Sequence, residues 1–386
     1  VAVIVTIFFL YAYGIVNLAG FVESFGANPS FRPRFRFYHW STALIGAIAC
    51  FFAAALISFA AAVIAVVILL LLFIYLSRKE MSVNYGDARR GFVYQNIRKN
   101  LINLSRLPLH PKNWRPTVLM INHYKYPDAP MLAMADLISS KHGLAQWFSF
   151  VQQNQNEEIA ESRLTELSRM AELISNYQYE IYPEAVVFRN ENLDIYREAV
   201  LQSVSINPLK PNLLLLPWLE DQEAMDSYIK AARLGMSLHI SSLFFINRGL
   251  PSASWSKRLD LWWRGEKNGS LMVILAYLIS SHVDWSNTSI RILRAIPSNM
   301  DSETAYSELS LLMDNARINA SIHIVPLDNT IENTIWKESR ASSLIILGAA
   351  IPSDNPNKFF QLFNRLTDGL PSTLIVSSTG DANLFA

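Results

Sequence analysis

Residues 41–76 read STALIGAIACFFAAALISFAAAVIAVVILLLLFIYL, a run of 36 residues that contains no charged side chain. A helix that crosses a bilayer needs about 20 apolar residues at a rise of about 1.5 Å each. The run is therefore too long for one crossing and has the length of two. It predicts a transmembrane helical hairpin over residues 40–77, with a turn near Ile57 and Ser58.

The start of the chain supplies a further apolar stretch. Residues 1–22 contain no charged side chain, and Glu23 follows them. This length predicts one transmembrane helix over residues 1–23, followed by a loop over residues 24–39. Because the chain begins with valine and shows no signal-peptide pattern, we expect part of the protein to precede it.

The distribution of basic residues supports a count of three crossings. Three crossings place the loop over residues 24–39 on the same side of the membrane as the chain after residue 77. Both segments are basic, and they contain Arg32, Arg34, Arg36, Arg78 and Lys79. Since basic residues favour the cytoplasmic side, we expect a multi-pass protein of the cell membrane with residues 78–386 in the cytoplasm.

Composition excludes two further classes of protein. Hydrophobic residues make up 51% of the chain and charged residues 17%, and the formal net charge is +1, so no basic field favours nucleic acid. The single cysteine, Cys50, excludes a disulfide within the chain and favours a reducing compartment. We therefore expect the lipid bilayer as a partner and no nucleic acid.

The first apolar stretch has a polar side. Thr6, Tyr13, Asn17 and Ser24 fall within roughly 60° of one another at about 100° per residue. Such a stripe on a membrane helix can line an ion path, or it can make ordinary hydrogen bonds between helices. Both interpretations stay open on the sequence alone.

Residues 78–110 follow the hairpin and mix apolar and basic side chains at helical spacing. The pattern predicts an amphipathic connecting helix. It is either a solvated linker helix or an element that couples domains or contacts a second subunit.

The remainder of the chain alternates short apolar runs with longer amphipathic stretches, which predicts an α/β fold with mostly parallel strands. Strands are predicted at 117–121, 147–151, 185–188, 213–216, 238–246, 259–263, 289–296, 321–325, 344–347 and 372–376. Helices are predicted at 159–174, 193–204, 222–234, 271–281, 302–316 and 358–367. For this length we expect two cytoplasmic sub-domains, 111–250 and 251–386, which could share a topology.

Motifs of chemical catalysis are not found. The sequence contains no HExxH, GxSxG, Walker A, CxxC or GxGxxG pattern, and its seven histidines lack the spacing of metal ligands. We expect a protein that is not an enzyme and that has no metal site, no cofactor and structural histidines. Gly348 and the turn at 121–124 are weak candidates for nucleotide binding, because no glycine cluster accompanies them.

Several motifs together resemble one family over nearly the whole chain. They are Phe8-Phe9-Leu10 with Tyr13 and Asn17, Phe31-Arg32-Pro33, Asn113-Trp114-Arg115-Pro116, Asp260-Leu261-Trp262-Trp263 with Gly269, and Leu374-Ile375-Val376. The sequence is similar in these motifs to the cation-chloride cotransporters of the amino acid, polyamine and organocation superfamily.

This resemblance implies the last helices of a LeuT-like transport core, followed by a cytoplasmic domain related in fold to universal stress proteins that helps to form a homodimer. It further implies that Tyr13 contributes its hydroxyl to a chloride site, with Thr6 and Asn17 on the same pore-facing stripe. The implied substrates are chloride and alkali cations.

Three hypotheses about function follow. The first is the C-terminal part of a secondary active transporter that symports chloride with potassium, sodium or both, whose cytoplasmic domain supports dimerisation and regulation. The second is a membrane-anchored regulatory or nucleotide-sensing α/β domain. The third is an amino acid or amine permease.

Overall fold

The computed structural model describes residues 2–26, 38–78, 88–108, 110–122, 127–153, 158–189, 192–205, 208–252, 255–297, 300–316, 318–327, 329–353 and 355–384. Its contacts divide the chain into two compact units, Val1–Leu107 and Pro108–Ala386. The loop motif Phe31-Arg32-Pro33, together with Arg34, Arg36 and Lys79, lies outside the described residues.

Apolar helices make up the first unit. They are α1 (Ala2–Phe25), α2 (Trp40–Ile57), α3 (Phe59–Arg78) and the more polar α4 (Ala88–Arg106). The break at Ser58, whose backbone is extended, lies where the sequence predicted a turn. Two of these helices, over Val5–Phe25 and Trp40–Ile57, are long and apolar enough to cross a membrane, whereas Phe59–Leu72 is a shorter apolar stretch. The third crossing remains a prediction.

Small residues let α1 pack closely against α2 and α3. A Cβ atom at Gly14 would lie 3.3 Å from the Phe51 ring, so glycine allows the two helices to approach. Tyr11 is buried and donates a hydrogen bond from its hydroxyl to the carbonyl of Ala62 at 2.8 Å. The side of α1 that bears Ile7 and Tyr11 therefore faces its neighbours in this unit.

The second unit contains ten strands and eight helices among the described residues. The strands are β1 (Thr117–Ile121), β2 (Leu144–Gln152), β3 (Ile181–Phe188), β4 (Leu213–Pro217), β5 (Ser241–Ile246), β6 (Lys257–Trp262), β7 (Thr288–Ile296), β8 (Ser321–Pro326), β9 (Leu344–Gly348) and β10 (Thr373–Ser377). The helices are α5 (Asp128–Ser139), α6 (Ile159–Tyr177), α7 (Leu193–Ser203), α8 (Gln222–Ser237), α9 (Glu266–Ser281), α10 (Ser302–Ala316), α11 (Ile331–Ser339) and α12 (Pro356–Thr367).

All ten strands form one sheet in the order β3-β2-β1-β4-β5-β10-β9-β6-β7-β8. The first five strands and the last five have the same internal order, so the two halves share one topology. Every pairing is parallel except that of β5 with β10, which joins the halves. The sequence predicted two sub-domains, 111–250 and 251–386, which meet after residue 250. The connection between β5 and β6 does fall there, but the halves form a single compact unit.

Helices cover both sides of the sheet. One core cluster packs α5, α6, α9 and α10 against one face, and a second cluster packs α7, α8, α11 and α12 against the other. Both clusters draw residues from both halves. Burial of one continuous sheet therefore explains why the halves do not separate.

Candidate functional site

The predicted polar stripe of α1 is only partly assembled in the structure. Tyr13 is 62% exposed, and Thr6 is exposed as well. Asn17 is half-buried, and its amide nitrogen donates to the backbone carbonyl of Tyr13 at 3.0 Å. The structure therefore places the side chains of Tyr13 and Thr6 at the surface of this helical unit.

Asn17 has a packing role of its own. A Cβ atom at Gly46 would lie 3.2 Å from the Asn17 side chain, so Asn17 fills the space that this glycine leaves on α2. A side chain in this contact is less available to an ion than the exposed Tyr13. Of the three stripe residues, Tyr13 is the best placed to meet a ligand outside this unit.

The phenol of Tyr13 has suitable chemistry for an anion. A phenolic O–H donates a hydrogen bond to a halide without adding a fixed positive charge. An ion that has to be released again needs this kind of moderate binding. Tyr13 therefore stays the candidate chloride ligand, and its assignment remains a prediction.

In the second unit, the motif at 260–263 has a structural role. Asp260 is fully buried on β6 and accepts two hydrogen bonds from Arg291, from Nε at 2.8 Å and from Nη2 at 2.7 Å. The hydrogen bond to Asp260 raises the pKa of Arg291, although burial acts in the opposite direction. Trp262 donates from Nε1 to the hydroxyl of Ser339 at 3.1 Å. These contacts fix the interior of the second half.

Gly348 does not form a phosphate cradle. A Cβ atom at this position would lie 3.2 Å from the Asn268 side chain. The Asn268 amide donates to the carbonyl of Ala349 at 2.8 Å and accepts from the backbone N–H of Ser378 at 2.9 Å. Doubly wound sheets bind nucleotides beyond the carboxyl ends of their strands. Here Asn268 fills that space beyond the ends of β9 and β10. Residues 123 and 124 of the other candidate turn lie outside the described residues.

A groove that sequence reasoning missed lies beyond the carboxyl ends of β4 and β5. Its volume is about 1270 Å³, and Arg197, Tyr228 and Arg248 contribute to its lining. Its rim is acidic, with Glu220, Asp221, Glu223, Asp226 and Asp368. The four acidic residues between positions 220 and 226, which follow the apolar strand β4 closely, are the feature of the sequence that could have indicated this groove.

Arg197 closes the inner wall of this groove. It is buried, donates from Nη1 to Asp194 at 3.1 Å and from Nη2 to the hydroxyl of Tyr228 at 3.2 Å, and lies 4.4 Å from the centre of that ring. Burial raises the pKa of Tyr228 to about 12, and the positive charge of Arg197 opposes this rise. The Arg197 charge is thus already neutralised by the protein. Lys230 and Arg248 also line the groove, so its charge comes from these two cations together with the acidic rim.

Three of the described histidines make structural contacts. His39 caps α2, His110 caps a short 3-10 turn, and His282 lies 3.0 Å from Asp136 through Nε2. His123 lies outside the described residues. Within the described part of the chain, no group of three or more His, Cys, Asp or Glu side chains could hold a metal ion.

Comparison with known proteins extends this account. The family model for amino acid permeases matches residues 1–120. The chain is 26% identical over 341 residues to potassium/chloride cotransporter 3 of Caenorhabditis elegans, an alignment that covers 85% of this chain and 32% of the relative. These matches confirm the resemblance to the cation-chloride cotransporters. The chain is thus part of a membrane protein, and it spans about a third of the length of this curated relative.

Solved structures resemble the second unit. The crystal structure of the cytoplasmic domain of a prokaryotic cation chloride cotransporter covers 70% of this chain and 99% of its own, with a TM-score of 0.51 and 18% identity. This likeness confirms the predicted α/β fold. A universal stress protein of Archaeoglobus fulgidus covers 68% of this chain and 97% of its own, with a TM-score of 0.44 and 10% identity.

Proposed function

We propose that this chain is the C-terminal part of a secondary active transporter that symports chloride with potassium, sodium or both, without chemical catalysis. The observation that carries the proposal is the similarity to a potassium/chloride cotransporter over 85% of the chain. That alignment is too long to be confined to the membrane helices or to the α/β unit. A soluble sensor that merely carried a membrane anchor would share only the second of these parts.

The membrane topology follows from charge. In this proposal α1, α2 and α3 each cross the bilayer, and the loop over residues 24–39 lies on the same side as residues 78–386. Both are basic at the membrane boundary, which favours the cytoplasm. The α/β unit then lies in the cytoplasm, where it supports dimerisation and regulation.

Tyr13 is the proposed chloride ligand. The side of α1 that packs on its neighbours bears Ile7 and Tyr11, and Tyr13 lies away from it with 62% of its surface exposed. A transport site lies between the two repeats of the core, so a ligand from α1 must face away from helices that are already packed. The position of Tyr13 supports this role.

The amino acid permease model supports a rival substrate class. It matches residues 1–120, which include all four helices of the first unit. The hypothesis that the substrate is an amino acid or amine therefore applies to the same helices. The two hypotheses differ in the solute that moves.

Uptake of radiolabelled rubidium, which replaces potassium, and of radiolabelled sodium tests the proposal in proteoliposomes that contain the full-length protein. External chloride is compared with gluconate, and vesicles without protein are the control. We expect uptake that requires chloride and that a mixture of amino acids does not reduce. Uptake that is independent of chloride, or uptake of amino acids without rubidium, would contradict the proposal.

A further inference from the structure

Helix α4 has an unusual charge composition. Its sequence ARRGFVYQNIRKNLINLSR contains basic side chains at Arg89, Arg90, Arg98, Lys99 and Arg106 and contains no aspartate or glutamate. The chain as a whole balances its charges almost evenly, with 33 basic and 32 acidic residues. The positive charge of α4 is therefore a local feature.

The helix contacts α1 at an aromatic cluster. The rings of Phe25 and Phe92 stack with their centres 5.6 Å apart, and Lys99 places Nζ 5.0 Å from the centre of the Phe25 ring. The Trp40 ring, at the start of α2, lies 5.6 Å from the Phe25 ring. Phe25 ends α1 and Trp40 begins α2, so both mark the same boundary of the apolar helices. Aromatic side chains concentrate at this level of a membrane.

The opposite side of α4 is apolar and uncovered. At about 100° per residue, Val93, Ile97, Leu101 and Leu104 lie together, roughly 150° away from Phe92 and Lys99. Val93 is 53% exposed, Ile97 52% and Leu104 45%. Among the described residues, no other element covers these three side chains.

We propose that α4 lies in the surface of the cytoplasmic leaflet, with this apolar side in the acyl region and its basic side chains on anionic lipid headgroups. An amphipathic helix with a basic polar side and low mean hydropathy is typical of such interfacial binding. Basic residues near an anionic leaflet strengthen such binding. The aromatic contact with α1 holds α4 at the depth that this arrangement requires.

Charge favours the lipid surface over a second copy of the chain. Two copies of α4 that paired through their apolar sides would bring two basic helices together without any acidic residue to offset them. An anionic leaflet supplies the missing negative charge. Arg90 and Arg98 are exposed. At about 100° per residue, Arg90 falls within the apolar side near the start of α4 and Arg98 falls beside it, and from both positions a long side chain can reach headgroups.

A fluorescent label tests the depth of each side of α4. The 386-residue chain with Cys50→Ser carries NBD at Ile97→Cys or, as the matched control, at Asn103→Cys, which is exposed and lies on the side of α4 that bears Phe92 and Lys99. It is reconstituted in phosphatidylcholine vesicles with or without phosphatidylserine. Quenching by lipids with a nitroxide in the acyl chain reports contact with the bilayer.

We expect strong quenching at residue 97 in vesicles with phosphatidylserine and weak quenching at residue 103. The added substitutions Arg90→Gln and Arg98→Gln should reduce quenching at residue 97 by at least half, because they remove headgroup contacts. Equal exposure to water at both positions would overturn the proposal. So would a label at residue 97 that is shielded from both water and lipid, because a protein surface would then cover it.

Discussion

Two tyrosines of the apolar helices offer a matched comparison at the scale of single residues. Tyr13 on α1 and Tyr75 on α3 are each 62% exposed. Removing either hydroxyl changes the volume and the hydrophobicity of the side chain by the same amount. Only Tyr13 is proposed to donate a hydrogen bond to chloride. An effect on transport that is seen at Tyr13 and not at Tyr75 would therefore indicate a role in the chloride site.

We predict that Tyr13→Phe weakens the apparent affinity for chloride by about tenfold. A hydrogen bond to a charged group contributes about 1.5 kcal/mol, which corresponds to this factor. The measurement is rubidium uptake at increasing chloride concentration with the full-length protein. Tyr75→Phe should leave the curve unchanged, and equal effects of the two substitutions would remove Tyr13 from the site.

The ion pair of Asp260 with Arg291 makes a second prediction. Asp260 is fully buried, whereas the nearby pair of Arg294 with Glu308 is partly exposed to water. Breaking a buried pair leaves a charge without its partner and costs about 3 kcal/mol or more. An exposed pair contributes about 1 kcal/mol at most.

Arg258 Nε also lies 3.4 Å from Oδ1 of Asp260 and remains when Arg291 is changed. Arg291→Gln should therefore lower the free energy of unfolding of residues 108–386 by about 1.5–3 kcal/mol, as urea denaturation would measure it. Arg294→Gln, on the same strand, is the control and should cost less than about 1 kcal/mol. A similar loss for both variants would mean that the buried pair adds no special stability.

At the scale of elements, the sequence predicted all ten strands of the sheet but placed some boundaries wrongly. The third strand was predicted from residue 185, yet β3 starts at Ile181 and contains Pro183. Proline lacks the N–H that a strand in the middle of a sheet donates to its neighbour, so a proline at position 183 disfavours a central strand there. β3 is an edge strand, where this donor is not required.

The fifth strand was predicted from residue 238, but β5 begins at Ser241. Helix α8 continues to Ser237, and His239 then adopts a φ of 61° in the turn. Leu238 and Ile240 are apolar, so their side chains alone did not distinguish this turn from a strand. The backbone conformation of a turn residue is not visible in hydrophobic periodicity.

Two helices, α5 and α11, were not predicted. Eight residues from Met131 to Ser139 of α5 are buried, and its neighbours include α9 as well as the sheet. A helix covered on several sides loses the apolar stripe from which amphipathic periodicity is recognised. The other helix, α11, has only nine residues, which is too short for a clear period.

Gly269 on α9 makes a prediction at this scale. A Cβ atom there would lie 2.3 Å from the Trp263 ring, whereas a Cβ atom at Gly265 would meet nothing within 4 Å. Gly269→Ala should therefore force the buried ring to move and cost about 1–3 kcal/mol. Gly265→Ala is the control, with an expected cost below about 1 kcal/mol, and thermal unfolding of residues 108–386 measures both. Equal stability of the two variants would contradict this prediction, because it would mean that α9 and the Trp263 ring can move apart at little cost.

At the scale of the whole molecule, the sequence did not predict that ten strands join in one sheet. The join is the antiparallel pairing of β5 with β10, whose residues are separated by more than a hundred positions. Contacts on both faces support it. His282 reaches Asp136 at 3.0 Å, and Trp218 donates from Nε1 to Asn364 at 2.8 Å. Pairing over such a distance leaves no local pattern in the sequence.

The candidate site was predictable only in part for a related reason. Helical periodicity at 100° per residue identifies Thr6, Tyr13 and Asn17 as one side of α1. It does not reveal that Asn17 packs against Gly46, because this contact depends on a second helix. The acidic groove beyond β4 and β5 likewise depends on the tertiary arrangement of several elements.

We predict that residues 108–386 form a homodimer in solution. The proposal assigns dimerisation to this unit, which has its own compact core. Light scattering at increasing protein concentration measures the molar mass. A mass of twice the single chain is the expected result, and a clean monomer at high concentration would contradict a role of this unit in dimerisation.

The most direct test of the central claim is whether a gradient of potassium and sodium drives chloride. Proteoliposomes with the full-length protein are given equal chloride on both sides and high external concentrations of potassium and sodium, and entry of radiolabelled chloride is followed. We predict that chloride accumulates above its equal distribution until the cation gradients are dissipated. A chloride distribution that ignores the potassium and sodium gradients would contradict the account.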